Sequence, residues 1–426
     1  MKVFKFGGAS VKDAASVKNV AEILSLFKNE KLVVVISAMG KTTNGLEKVV
    51  NAFYYGKPEL KDAMAEVKMY HNKILSGLGF ANNHKIYQDI DNAFTEMEWV
   101  MEDGTSKGYA FIYDQIVSQG ELISTKIMSA YLQVNGFSNQ WLDARDVIHT
   151  DNTYREGKIN WELTEQRVKE KIPALHKSEN IVLTQGFIGT TSENFTTTLG
   201  REGSDYTAAI LSYCLNAEEM VVWKDVPGVL SADPKFYSDA VKLQEVSYLD
   251  AIELTYYGAT VIHPKTIKPL ENKNIPLRVR SFLAPKESGT SVGNYTITKP
   301  LVPCFIFKTS QILLSISAKD FSFVAEDALS KIFKVCADHK VKINLMQNSA
   351  ISFSLCADND EFKMPPLIEE LKKEFKVLYN DNLRLVTVRH YYQSTIDKLT
   401  KDKTILLEQR SRHTAQVVMK EEPGSG

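Results

Sequence analysis

The residues best suited to bind an anion lie in the middle of the chain, in residues 196–205, which read TTTLGREGSD. A helical pattern follows, in which Ser204 is suited to the N-cap and Asp205 to the first turn. A capped helix entrance explains these two residues but not Arg201. An arginine in such a loop favours two-pronged binding of a carboxylate or phosphate. The segment therefore predicts an anion-binding loop at the start of a helix.

A second segment with this potential is residues 5–10, KFGGAS, which directly follow a short apolar strand pattern. Gly7 and Gly8 let backbone N–H groups approach a ligand, the helix start that follows favours an anion, and Lys5 adds a positive charge. A plain tight turn would use the same glycines, so both interpretations stay open on these residues alone.

The polar loop at residues 37–44, SAMGKTTN, resembles a P-loop only in part. The P-loop motif needs a glycine five positions before Gly40, and Val35 stands there, so we reject that interpretation. The loop still follows a strand pattern, at the carboxyl end where α/β sheets bind ligands.

Composition limits the class of protein. The 426 residues predict two or three domains, and 51 basic against 52 acidic residues give a net charge of −1, which argues against a general nucleic-acid or membrane-surface binder. The cysteines form no zinc-type spacing and predict buried free thiols in a reducing compartment; they are Cys214, Cys304, Cys336 and Cys356. We expect no signal peptide, no membrane span and no protein-bound metal, and hence a cytoplasmic protein.

Strand and helix patterns alternate over the first part of the chain, which predicts an α/β fold with a mostly parallel sheet sandwiched by helices. The predicted strands are short apolar runs at residues 3–6, 32–37, 139–143, 181–185, 220–223 and 276–280. Helical stripes are predicted between them, including one at 16–27 and one that runs through 116–131.

A polar, proline-containing stretch at 288–303 predicts a boundary between domains at 1–295 and 304–426. Beyond it the patterns predict βαββαβ, a ferredoxin-like unit at about 308–390, followed by a truncated second unit and a disordered tail at 421–426.

Six segments in one order carry a resemblance to a known family. They are KFGGAS, SAMGKTTN, FIYDQIVSQGELIST, TQGFIG, TTLGREGSD and WKDVPGVLSADPK. Together they closely resemble the aspartokinases of the amino-acid kinase superfamily, and the C-terminal part resembles ACT regulatory domains. The resemblance implies ATP-dependent phosphorylation of the side-chain carboxylate of L-aspartate to 4-phospho-L-aspartate, the first step of lysine, threonine and methionine biosynthesis.

The resemblance also implies roles for individual residues. Lys5 stabilises the transferring phosphoryl group and Asp205 holds that lysine in place. Arg201 binds the α-carboxylate of aspartate and Glu121 its ammonium group. The implied substrate pocket consists of Thr43, Glu121, Phe187, Arg201 and Ser204. The implied nucleotide site consists of Lys5, Gly7, Gly8, Trp223, Asp225, Val229, Leu230 and Lys235.

The chemistry agrees with this set of residues. An aspartate side chain has a pKa of about 3.9, so it is an ionised nucleophile at neutral pH and needs no general base. Phosphoryl transfer asks mainly for positioning and charge neutralisation. Magnesium is expected on the ATP phosphates rather than in a carboxylate cage.

The chain departs from the family pattern at several positions. Glu202 replaces a glycine, Ala9 and Lys224 replace threonines, Thr260 replaces a nucleotide-contacting lysine, and Lys235 replaces an arginine. These departures leave the ATP affinity open.

The ACT-like part implies an amino-acid effector, most commonly lysine and next threonine, and a homodimer or higher oligomer. The implied effector residues are Asn344, Met346, Gln347 and Asn348. An edge strand and turn that serve only dimerisation remain an alternative for this stretch.

Two other functions remain open from the sequence. One is a kinase for another acid, such as glutamate or N-acetylglutamate. The other is a catalytically silent amino-acid sensor, which Glu202, Thr260 and the short C-terminal part favour.

Overall fold

The computed structural model describes residues 1–259, 261–296, 301–320 and 322–420, so Thr260 and the predicted tail at 421–426 lie outside it. Met1–Val229, Gln244–Ile252 and Ile262–Thr296 form one compact unit, the N-terminal unit, and the remaining described residues form the C-terminal unit. Among the described residues, no helix is both long and apolar enough to span a bilayer.

Among the described residues before 294, the structure has ten strands and ten α-helices. The strands are β1 (Lys2–Phe6), β2 (Leu32–Ile36), β3 (Gln140–Leu142), β4 (Ile181–Gln185), β5 (Ile188–Thr190), β6 (Thr196–Thr198), β7 (Glu219–Lys224), β8 (Glu245–Ser247), β9 (Leu277–Ser281) and β10 (Thr290–Gly293). The helices are α1 (Ala14–Ser25), α2 (Thr42–Tyr54), α3 (Leu60–Leu78), α4 (Lys85–Glu102), α5 (Tyr109–Val117), α6 (Gln119–Val134), α7 (Trp161–Leu175), α8 (Gly203–Leu215), α9 (Tyr248–Tyr257) and α10 (Pro264–Asn272).

Eight of these strands form one sheet, in the order β3-β4-β2-β1-β7-β9-β10-β8. All neighbours are parallel except β9 and β10. The central strands β2 and β4 are buried along their whole length, because helices cover both faces and valine and isoleucine fill the strands. The predicted α/β class is confirmed, and all six predicted strands are present.

The structure differs from the sequence prediction at two helices and one hairpin. The stripe predicted through 116–131 is broken at Ser118, which separates α5 from α6. The hairpin of β5 and β6 was not predicted, because its three-residue strands are too short to show an alternation. Ser204 is not the N-cap of α8: the helix begins at Gly203, and Glu202 occupies the capping position.

The C-terminal unit contains a six-stranded sheet in the order β12-β13-β11-β14-β16-β15. Its strands are β11 (Cys304–Ala318), β12 (Ile343–Asn348), β13 (Ser352–Asp358), β14 (Phe375–Arg389), β15 (Ile405–Arg410) and β16 (Thr414–Lys420). Its helices are α11 (Glu326–Asp338), α12 (Met364–Glu374) and α13 (Gln393–Thr400). The predicted βαββαβ order is confirmed by β11-α11-β12-β13-α12-β14. The strands β11 and β14 each run for 15 residues, and the far half of β14 pairs with β16.

Candidate active site

A cavity of about 880 Å³ opens in the N-terminal unit, at the carboxyl ends of the central parallel strands. This is the edge of an α/β sheet at which ligands bind. The cavity brings together all seven residues predicted for catalysis and substrate binding, and one of the predicted nucleotide glycines. The predicted residues that line it are Lys5, Gly8, Thr43, Glu121, Phe187, Arg201, Ser204 and Asp205.

Asp205 is the electrostatic centre of this cavity. Its side chain is 2% exposed, Lys5 forms an ion pair with Oδ1, and the Nζ of Lys224 lies 3.4 Å from Oδ2. Burial alone raises the pKa of Asp205, but the two ammonium groups outweigh burial and hold that pKa below its ordinary value. Asp205 is therefore an ionised carboxylate that fixes Lys5.

Close packing of two loops brings Lys5 to the cavity. A Cβ added to Gly8 would lie 2.8 Å from the carbonyl oxygens of both Ala38 and Gly40. The backbone N–H of Gly40 also donates to the carbonyl of Gly8 at 3.0 Å. A glycine at position 8 is thus required for the strand end to contact the loop after β2, which closes one wall of the cavity. Gly7 precedes this contact but does not line the cavity.

Glu121 supplies a buried carboxylate at the floor of the cavity. Its side chain, in the first turn of α6, is 3% exposed, and its Oε2 has no hydrogen-bond partner in the described structure. Burial raises the pKa of Glu121 to about 8, although the charge of Lys5 and the N–H of Ala38 act in the opposite direction. A cationic group that entered the cavity would stabilise the ionised form.

Arg201 lies in the tight turn between β6 and α8 and is exposed to the cavity mouth. The turn is closed by a hydrogen bond from the N–H of Gly203 to the carbonyl of Gly200 at 3.0 Å. A Cβ on Gly203 would lie 2.6 Å from the ring of Phe187, so the glycine lets this ring pack against the turn. The fold therefore places an exposed arginine at the cavity that Glu121 also lines.

Sequence reasoning missed a second layer around the cavity. Asp114 accepts hydrogen bonds from the N–H groups of Arg155 (2.8 Å) and Thr198 (2.9 Å) and from the Thr198 hydroxyl (2.7 Å). Burial raises the pKa of Asp114 to about 6. The Arg155 guanidinium lies 4.5 Å from the ring centroid of Tyr113, whose hydroxyl donates to Glu47 at 2.7 Å. Asp114 lies in the recognised segment 111–125, and this was the available signal that it belongs near the site. Its hydrogen-bond partners are distant in sequence, so its contacts could not be predicted.

Most of the predicted nucleotide residues do not line the cavity. Trp223 is 1% exposed, stacks on Phe6 at 5.8 Å and lies 4.8 Å from the Arg280 guanidinium. The indole belongs to the core and Trp223 does not line the cavity, so its contact with a nucleotide stays a prediction. Asp225 is exposed and Val229 is buried, and neither lines the cavity.

Two further predicted nucleotide residues belong to the C-terminal unit, where Leu230 is half-buried and Lys235 is exposed. The N–H of Lys235 donates to the Asp233 carboxylate at 2.9 Å, in a turn.

The predicted effector residues lie on β12, which is an edge strand of the C-terminal sheet. Met346, Gln347 and Asn348 are exposed. The Asn344 side chain instead accepts from Lys308 at 2.7 Å and donates to Gln311 and Asp358 at 2.9 Å each. These contacts tie Asn344 to the sheet.

Comparison with known proteins gives the family. Residues 1–281 match the amino acid kinase family. The chain is 31% identical over 395 residues to lysine-sensitive aspartokinase 3 of Escherichia coli (strain K12). The alignment covers 91% of this chain and 86% of that relative. The chain belongs to the aspartokinases. The family predicted from the motifs is thereby confirmed, and with it the class of enzyme.

Two solved aspartokinase structures have the same fold. E. coli aspartokinase III in complex with lysine and aspartate, in the T-state, aligns with a TM-score of 0.85 at 28% identity, over 98% of this chain and 95% of that one. The same enzyme with aspartate and ADP, in the R-state, aligns with a TM-score of 0.80 at 27% identity, over 99% and 96%.

Two other expectations concern metals and cysteines. Within the described ranges, no group of three or more His, Cys, Asp or Glu side chains is arranged to hold a metal ion. The four cysteines are buried and form no disulfide within the described residues, as the sequence predicted.

Proposed function

We propose that this aspartokinase transfers the terminal phosphoryl group of ATP to the side-chain carboxylate of L-aspartate in the cavity at the end of β1. The observation that carries the proposal is that Lys5, Glu121, Arg201 and Asp205 all line one cavity. Its volume of about 880 Å³ falls within the range of small-molecule sites. The product is 4-phospho-L-aspartate.

Binding of aspartate follows from two residues of opposite charge that line the cavity. Arg201 pairs with the α-carboxylate, for which a guanidinium offers two parallel N–H donors. Glu121 receives the ammonium group, which supplies the missing partner of its Oε2. The side-chain carboxylate is then held as the free end of the substrate.

The transfer itself needs positioning and positive charge. A carboxylate oxygen of aspartate forms a bond to the terminal phosphorus of ATP, and the bond from that phosphorus to the bridging oxygen breaks, with its electron pair leaving on ADP. Lys5 stabilises the negative charge on the transferring group, and Asp205 keeps Lys5 in place. Mg²⁺ carried on the nucleotide phosphates would neutralise part of their charge.

The proposal is tested with two variants and one control. Lys5→Ala should lower kcat by roughly 10²-fold, the effect of removing one donor to the transition state. Arg201→Ala should mainly raise the KM for aspartate, because the arginine binds ground state and transition state alike. Arg167→Ala, on the exposed face of α7, should leave both constants unchanged.

A coupled assay that compares aspartate, glutamate and N-acetylglutamate gives the specificity. Activity with aspartate alone supports the proposal. Near-normal kinetics in both folded variants, or a preference for another acid, would overturn it, and absence of aspartate-dependent ATP turnover would indicate a silent sensor.

We further propose feedback by lysine, bound at the edge strand β12 through Met346, Gln347 and Asn348, with threonine as the alternative effector. The lysine-sensitive relative and the lysine-bound solved structure support this choice. We also propose that two copies associate through the C-terminal sheet, and that the enzyme is cytoplasmic, which its free buried cysteines favour.

A further inference from the structure

Lys224 occupies a position in the sheet that the mechanism has not used. It is the last residue of β7, the parallel neighbour of β1. The register pairs Lys5 with Val222 and Phe6 with Trp223, so Lys224 stands at the level of Gly7, where the chain leaves the sheet. Lys224 is therefore one of the residues at the carboxyl edge of the two central strands.

The charges around Asp205 do not balance. One carboxylate, 2% exposed, faces two ammonium groups, that of Lys5 at Oδ1 and that of Lys224 at 3.4 Å from Oδ2. A single lysine is enough to neutralise a buried aspartate. The second leaves a net positive charge, and the first turn of α8, in which Asp205 lies, adds the partial positive charge of a helix N-terminus.

The two lysines differ in access. The Lys5 side chain is 8% exposed, whereas that of Lys224 is 20% exposed. A lysine that served only as a buried counter-ion would gain nothing from this exposure, and its contact at 3.4 Å is a long one for a charged pair. The ammonium group can turn from Asp205 to an anion with little loss, since a lysine carries three donors on a flexible stem.

We propose that Lys224 is a second phosphate-binding cation of this enzyme, which contacts a nucleotide phosphate beside Lys5 while Asp205 holds both lysines at the end of the sheet. The proposal rests on the proposed function for the identity of the nucleotide. Its chemistry requires only a ligand with several phosphate groups.

The test measures binding rather than turnover. ATP affinity is measured by isothermal titration calorimetry and adenosine affinity by ligand-observed NMR, for the whole chain and its variants. Lys224→Met should weaken ATP binding about 10- to 100-fold, the effect of losing one charged hydrogen bond, and leave adenosine binding unchanged. Lys224→Arg should restore ATP binding to within a few-fold, and Lys177→Met, an exposed lysine outside the cavity, should have no effect.

Two results would overturn the proposal. One is unchanged ATP affinity in folded Lys224→Met, which would leave Lys224 as a counter-ion of Asp205. The other is an equal loss of ATP and adenosine affinity, which would indicate damage to the site as a whole. Lys224→Gln, which keeps the length and polarity of the side chain, provides the same comparison if the methionine variant fails to fold.

The outcome is separable from that of the proposed function. If ATP binding depends on Lys224 but aspartate supports no turnover, the proposed reaction fails and the cation site stands. If aspartate is phosphorylated and the ATP affinity does not depend on Lys224, only the role proposed for Lys224 fails.

Discussion

Glu121 has the most unfavourable position of the charged residues named in the cavity. Its carboxylate is 3% exposed and one oxygen has no partner, so ionisation in the absence of a ligand is opposed by burial. A buried acid of this kind is tolerated where a ligand completes it. Burial of this carboxylate thus lowers the stability of the ligand-free protein and favours the binding of a cationic group.

Burial of the Glu121 carboxyl group predicts that the stability of the free protein depends on pH. The pKa of Glu121 is raised from 4.5 to about 8 in the folded chain. A raised pKa adds stability that is complete below pH 4.5 and is lost as the pH rises through 8. Glu121→Gln should therefore unfold with a free energy that is higher than that of the wild type at pH 8.5, by on the order of 1–3 kcal/mol, but similar at pH 5.

Urea unfolding at pH 5, 7 and 8.5 without aspartate measures this difference. The exposed Glu98→Gln on α4 is the matched control and should follow the wild type at each pH. If the free energy of unfolding changed with pH equally in the wild type and in Glu121→Gln, burial would not oppose ionisation of the Glu121 carboxyl group. Kinetics with the same variant should give a raised KM for aspartate, because the ammonium group loses its counter-charge.

At the scale of elements, the turn into α8 combines binding with backbone strain. Glu202 has a φ of 55°, in the left-handed region that a glycine adopts more easily. The residue also lines the cavity, which has to accept two anionic substrates. The chain therefore carries both a conformational cost and a repulsive charge at this position.

Glu202→Gly should relieve both effects. We expect a gain in stability of roughly 0.5–1 kcal/mol and a lower KM for aspartate, by a few-fold because the charge is exposed. Glu202→Asn separates the causes, since asparagine tolerates the left-handed region but carries no charge. Thermal unfolding and initial rates check both variants. A KM that is unchanged in both would mean that Glu202 points its charge away from the substrate.

The elements also show what could be predicted from the sequence. Strands such as β2 and β4 were predicted because a run of valine, isoleucine and leucine buried on both faces has few other structures open to it. The break at Ser118 was missed because the apolar stripe continues across it from α5 to α6. The N-cap of α8 was misplaced because a serine next to an aspartate satisfies the local rule, while the turn is set by the close contact of Gly203 with Phe187.

In the site, too, some residues could be predicted from the sequence and others could not. Lys5, Arg201 and Asp205 could be predicted because they lie in segments whose composition favours an anion. Asp114 and its contacts to Arg155 and Thr198 could not, because the partners lie 41 and 84 residues away and meet only after folding. Trp223 lies inside a recognised segment but its indole is part of the core, so its role at a nucleotide stays a prediction.

At the scale of the whole molecule, we expect the proposed association of copies to use the edge strand β12. An edge strand leaves one row of backbone N–H and C=O groups available to another strand. Met346 on β12 is 49% exposed, and Ile351, just beyond it, is 50% exposed. The opposite edge, β15, carries Ile405, which is 40% exposed. The sheet thus has two candidate edges, and the predicted effector residues lie on only one of them.

Pairing through β12 makes a prediction that compares the two edges. A charge in a buried interface is unfavourable unless it is paired, so Met346→Asp should shift the protein towards the monomer, while Ile405→Asp should sediment as the wild type does. Sedimentation velocity over a range of concentrations measures the association. Inhibition by lysine should weaken together with association in Met346→Asp and persist in Ile405→Asp, because the proposed effector site lies on the edge that pairs. A monomeric wild type, or dissociation by Ile405→Asp alone, would contradict pairing through β12, and inhibition that survives in monomeric Met346→Asp would place the effector away from the contact between copies.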